Sequence, residues 1–356
     1  MRARAGVWLR TGVVALAGGA LAWRLRLPLP WLLGALVACA ALRLRGFTLG
    51  IPRAAQSIGQ WVIGTALGLY FTPAVVSQAA EWAPWIALAV LWSFFLGVAL
   101  SSALARWGGV DSSTAYWSGP IGAAAEMVIQ GERAGAQAEL VAAAHSLRLL
   151  LVVVILPLSF DWMHVYGHEV DLSSARVVDA SGLLCLVLLT LAGALGLRRL
   201  RGPNPWMLGP LAVALTLTAS GHAPSALPSW VAPLGQLLIG MSLGGRFGPG
   251  FFRRAPRFLG VVAVVTLCGL LGSAALAKLI GWAAGIAVPT MILATSPGGI
   301  AEMCLTAQAL QLGVPVVTAF HATRVVFLLV VAQGVWRRSR GWLERLVERR
   351  ALSPVP

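Results

Sequence analysis

Charge is what this sequence is short of. Asp, Glu, Lys and Arg make up 11% of it, where a soluble domain carries roughly 25%. So few charges cannot cover the surface of a soluble protein, which excludes a soluble enzyme. No polar stretch is long enough to form a helix-turn-helix or kinase domain, so direct contact with nucleic acid is not expected. The cysteines number 4, and Cys39, Cys185, Cys268 and Cys304 show no CxxC spacing. That argues against a disulfide framework and a zinc site, and leaves them as small core residues. Histidines number 5, of which His164, His168 and His222 fall in loops. A copper or iron oxidation site needs clustered ligands, so no metal, no cofactor and no catalytic activity is expected. Short alternating strands are also missing, which disfavours a β-barrel.

What is abundant is apolar: 58% of the residues are hydrophobic. Runs such as 82–105, 182–197 and 258–279 are long enough to cross a hydrocarbon core of about 30 Å as helices. The net charge of +15 comes from arginines in short clusters between these runs, among them Arg43, Arg45 and Arg53, then Arg198, Arg199 and Arg201, then Arg253, Arg254 and Arg257. Such clusters read as cytoplasmic anchors under the positive-inside rule rather than as a nucleic-acid footprint. The expected class is therefore an all-α polytopic membrane protein, with membrane lipid as its surroundings.

The chain repeats itself. Leu16-Ala17-Gly18 returns as Leu191-Ala192-Gly193 and Pro30-Trp31 as Pro205-Trp206, both displaced by 175. Gly59-Gln60 returns as Gly235-Gln236, Ala125-Glu126-Met127 as Ala301-Glu302-Met303, and His145 with Arg148 as His321 with Arg324, all displaced by 176. This is a duplication. It divides the chain into a membrane repeat at 8–160, an extracytoplasmic loop at 161–180, a second membrane repeat at 181–337 and a cytoplasmic basic tail at 338–356. The repeat also argues that the basic and then apolar N-terminus, which could pass for a signal peptide, is retained.

Each repeat holds a run that should break: Gly119, Pro120 and Gly122 in the first, Pro297, Gly298 and Gly299 in the second. Proline lacks a donor and glycine loosens the backbone, so each run is expected to be a broken or re-entrant helix. The prolines do not align, since Pro120 faces Ser296 and Pro297 faces Ile121. If each broken element dips in and returns, the charges give an odd number of crossings per half. That means inverted repeats, about ten crossings in all, and both termini in the cytoplasm. The segment from Trp336 onward, with Trp342, Leu343, Leu346 and Val347 between charges, reads as a surface-lying amphipathic helix. Trp31, Trp82, Trp107, Trp206, Trp230 and Trp282 read as interfacial anchors.

Ionisable residues at membrane depth cost roughly 2.5–3.5 kcal/mol each on insertion scales, so they are functional candidates by default. Glu126, His145 and Arg148 are such residues, as are their mates Glu302, His321 and Arg324. Each His and Arg pair is spaced i, i+3 and shares a helix face. Each glutamate follows a break closely. The functional reading is a solute or ion site beside broken helices, in which a Glu or His could also carry a coupled proton. The alternative is that Glu126 pairs with Arg148 and Glu302 with Arg324, and nothing binds. Gln60 and Gln236 sit in glycine-rich runs, where close helix packing is the simpler reading and a cavity-facing amide the other.

These paired motifs resemble the AbrB family of bacterial inner-membrane proteins, over about residues 8–337. The resemblance implies a multi-pass plasma-membrane protein, similar in architecture to the inverted-repeat cation/proton antiporter and anion transporter superfamily. Members are described as regulators of aidB expression, and relatives are labelled ammonia monooxygenases, a label that the scarcity of ligands contradicts here. The favoured expectation is a secondary transporter of a small anionic or metabolite-like solute. The alternative is a membrane-embedded regulator or sensor acting indirectly on gene expression. A homo-oligomer is compatible with either.

Overall fold

The computed structural model describes residues 2–122, 124–167 and 177–351. His168, Glu169 and Asp171 of the 161–180 loop lie outside these residues, as does the tail beyond Ala351. The protein is all-α, with no strand among the described residues. The first half runs α1 (Arg2–Arg24), α2 (Pro30–Leu44), α3 (Arg53–Gly68), α4 (Pro73–Ala103), α5 (Ser112–Ser118), α6 (Ala124–Arg133) and α7 (Ala138–Trp162). The second runs α8 (Ala180–Arg199), α9 (Pro205–Ala219), α10 (Val231–Gly244), a short α11 (Phe251–Arg254), α12 (Pro256–Ala284), α13 (Val288–Thr295), α14 (Ile300–Ala309) and α15 (Val314–Ala351). Among the described residues five helices are long and apolar enough to cross a membrane, and α2, α9 and α10 are shorter apolar helices. Side chains such as Leu271, Val330 and Phe95 are exposed on them, as lipid-facing positions allow.

The chain forms two compact units, and each takes segments from both sequence repeats. The first unit comprises Met1–Trp82, Leu156–Gly250 and Ala301–Thr318. In it α1 packs on α2 and α8 on α9, while α3 of the first half packs on α9 of the second and α10 on α2. Glycines at the crossings explain why. A Cβ on Gly18 would land on the carbonyl of Gly34 and the reverse, and Gly193 with Gly209 repeats the pair. Likewise Gly64 lies over the carbonyl of Met207, and its mate Gly240 over that of Leu32. Lipid tails are as apolar as leucine, so helices in a membrane associate through close packing of small residues of this kind.

The second unit comprises Ala83–Ile155, Phe251–Ile300 and Ala319–Pro356. Here α4 ends in a π turn, Leu104–Gly108, that packs on α5 and α12. The core is built around Leu100, Tyr116, Trp117, Met127 and Phe258. Three expectations are corrected. The tail is no separate surface helix: α15 continues through it, and Leu343, Leu346 and Val347 pack into this core. Cys185 and Cys268 are exposed on α8 and α12 rather than buried, because a small apolar side chain is as stable against lipid as inside. Trp82 is buried, whereas Trp107, Trp230 and Trp282 are exposed.

Candidate functional site

Helix α5 ends at Ser118, where its last carbonyls have no partner further along the helix. Three of the carbonyls around the break are met by α7. His145 Nε2 lies 3.0 Å from the Trp117 carbonyl. Arg148 donates from Nη1 to Gly119 O at 3.2 Å and from Nη2 to Pro120 O at 3.0 Å. The same Nη2 is 2.8 Å from His145 Nδ1. A guanidinium only donates, so Nδ1 accepts and the proton sits on Nε2. This fixes the neutral Nε2–H tautomer, and a second proton on Nδ1 would break the bond from Arg148.

The second half builds the same clamp. Helix α13 ends at Thr295; His321 Nε2 meets Leu293 O at 2.8 Å, and Arg324 reaches Ser296 O and Gly298 O. Arg324 Nη2 is again 2.8 Å from His321 Nδ1. Trp117 and Leu293 are repeat mates at 176, and so are Pro120 and Ser296, but the remaining carbonyls, of Gly119 and Gly298, are not, and Pro297 sits one place later than Pro120. All four clamp side chains are buried. A cation at the C-terminal end of a helix is favoured by the helix dipole as well as by hydrogen bonds.

The alternative reading, in which Glu126 pairs with Arg148, does not hold. Both Nη atoms of Arg148 are spent on carbonyls, and among the described residues no carboxylate lies within ion-pair distance of it. Carbonyls stripped of donors by the break need the arginine more than a half-buried glutamate does. Glu126 lies in the first turn of α6, half-buried. Glu302 holds the same place in α14, only 8% exposed, and falls in the first unit while Arg324 falls in the second. Arg246 belongs to the same unit as Glu302. Arg246 donates to Gln56 Oε1 at 3.2 Å, which also accepts from Ser242 Oγ. Nothing in the sequence marks Arg246 as part of a site, since its repeat mate, Tyr70, is uncharged.

Gln60 and Gln236 stand on α3 and α10 in the first unit, whereas the clamps belong to the second, and Gln236 Oε1 is buried without a partner. The two breaks do come together within the second unit. Ile121 of the first and Pro297 of the second line one cavity of about 10 Å³ with Arg148 and Thr266, room for about one water. Arg148 Nε is buried and has no hydrogen-bond partner.

Two known proteins and one sequence family are similar to this chain over most of its length. The chain is 27% identical over 322 residues to the Escherichia coli (strain K12) protein named "Putative regulator AbrB", covering 87% of this chain and 90% of that one. It is 25% identical over 351 residues to the Bacillus subtilis (strain 168) protein named "Uncharacterized protein YhjN", with 91% of each covered. The sequence model described as "Transition state regulatory protein AbrB" matches residues 31–340, a span that takes in both breaks and both clamps, and the chain belongs to the AbrB family.

Proposed function

We propose that this protein is a secondary transporter of a small anionic solute in the bacterial inner membrane. The observation that supports it most is the cavity shared by Ile121, Pro297 and Arg148. Two broken helices meeting beside a buried cation are how secondary transporters place a solute. The cavity's small volume implies that the breaks must move to admit more than a water. In this reading Arg148 attracts the anion through its charge while its Nη atoms hold the break, and Glu126 and Glu302 are the groups available to a coupled proton. The repeats are inverted, with about ten crossings and both termini in the cytoplasm. No catalytic reaction, metal, cofactor or nucleic-acid contact is assigned. The name of the E. coli relative, a regulator, favours a second reading, in which the solute is sensed and gene expression is altered indirectly.

The test is uptake of labelled small carboxylates and inorganic anions into proteoliposomes holding the full chain, under imposed proton or sodium gradients. Accumulation of at least one anion is expected, weakened in Arg148→Lys, which keeps the charge and loses the guanidinium fork. If no anion accumulates under any gradient while the reconstituted protein still unfolds cooperatively, transport is wrong and sensing takes its place.

A further inference from the structure

We infer that an anionic phospholipid occupies a groove in the second unit, where it bears on the first helix break. The groove is a cavity of about 40 Å³ opening into a larger apolar depression. Phe94 and Val98 of α4 form one side, Leu328, Val335 and Trp342 of α15 form another, and Pro120 of the break is among its lining residues. From Leu328 to Leu343 the lining follows α15 for about 22 Å at 1.5 Å per residue. That exceeds the about 15 Å depth of one leaflet, half of a ~30 Å core. An apolar groove of this length suits an acyl chain.

Two further features choose the occupant's head. Ser339 lines the groove with its hydroxyl buried and without a hydrogen-bond partner. A lipid ester carbonyl would accept from it. Arg338, Trp342 and Arg345 follow at i, i+4 and i+7, one stripe of α15 beside the groove, and all are exposed. Neither arginine has an acidic partner among the ion pairs of the described residues, whereas Arg340 is paired with Glu344 at 3.4 Å. An apolar groove ending at a free hydroxyl, an interfacial tryptophan and two unpaired arginines has the layout of a phospholipid with a negative head. The lipid would press on a break that is already held from this side: Tyr116 donates to the Ala332 carbonyl at 2.5 Å, and Ser101 donates to the Tyr116 carbonyl. This inference does not depend on transport.

The experiment is native mass spectrometry of the purified full chain with equal amounts of dioleoylphosphatidylglycerol and dioleoylphosphatidylcholine. Phosphatidylglycerol should be retained preferentially. Each juxtamembrane arginine contributes about fivefold, so Arg338→Gln with Arg345→Gln should reduce the preference about 25-fold. Both positions are exposed, so folding should be untouched. Val98→Phe should block the groove and lower retention of both lipids, with Val335→Phe as the parallel change should the first not fold. A native protein without preference, a double arginine variant that keeps it, or a folded groove-filled variant that retains lipid like the native chain would each overturn the proposal.

Discussion

In the first half the chain leaves α5 at Ser118, turns through Gly119 to Gly122 and comes back as α6. Ser113, near the start of α5, donates to the carbonyl of Ala134, just past the end of α6, at 2.7 Å. Thr114 Oγ1 accepts from the Gln137 amide at 2.9 Å, so the two short helices lie antiparallel as a hairpin. Gly122 makes the return possible with φ +152, a backbone region open to glycine. In the second half α13 belongs to one unit and all of α14 after Ile300 to the other, and Gly298 and Gly299 have no positive φ. The clamps are nearly identical, but the segments downstream of them differ. The His and Arg pair therefore caps the carbonyls that each break frees, and the residues after the break decide where the chain goes next. The same divergence separates the glutamates: α6 leaves Glu126 half-buried, whereas Ala301 to Ala307 of α14 are buried throughout, Glu302 with them.

The sharpest way to break this comparison is at the arginines. Arg148→Ala strands the Gly119 and Pro120 carbonyls and His145 Nδ1, three groups worth about 1–3 kcal/mol each, partly offset by removal of a buried charge. A loss of about 3 kcal/mol is expected, and Arg324→Ala should match it in thermal unfolding in detergent. If one clamp proves dispensable and the other does not, the two are not equivalent. Next come the crossings. Gly64→Val and Gly240→Val each press a side chain onto a facing carbonyl and should cost about 1–3 kcal/mol alike. Unequal losses would mean that the symmetry of the first unit is only apparent.

A smaller effect is specific to the first break. Ser113→Ala removes the bond to Ala134 and should cost about 1 kcal/mol, seen as faster amide exchange in α6 with α14 unchanged. Faster exchange in α14 as well would show the breaks to be coupled. The smallest effect is a control in the first unit. Asp179 caps α8, accepting from Ser181 Oγ and the Gly182 amide, and these bonds hold its carboxyl below the usual carboxylate range. Its contribution is present above the unfolded value near ~3.9 and is lost as pH falls through the lower folded value. Exchange of the Gly182 amide should therefore quicken only on acidification below about 4, and Asp179→Asn should remove that dependence.

The helical class, the duplication and the places where helices break are legible in the sequence. Each of these rests on patterns that act within a few residues: depletion of charge, apolar runs of membrane length, proline and glycine in Gly119-Pro120 and Pro297-Gly298. It also named His145, Arg148, His321 and Arg324, since four ionisable groups on apolar helices stand out by their cost in lipid. What it could not give was their partners. A glutamate a turn past the break looked like the natural mate for an arginine, yet Arg148 bonds to carbonyls 28 and 29 residues away along the chain. Which carbonyls lack a donor depends on how a helix end sits in space, and spacing along the chain does not record that. The fold-back of α6, the bond of Arg246 to Gln56 and the burial of Leu343 within α15 follow from the packed chain for the same reason. Each brings together groups from distant parts of the chain, and only the packed chain sets those distances.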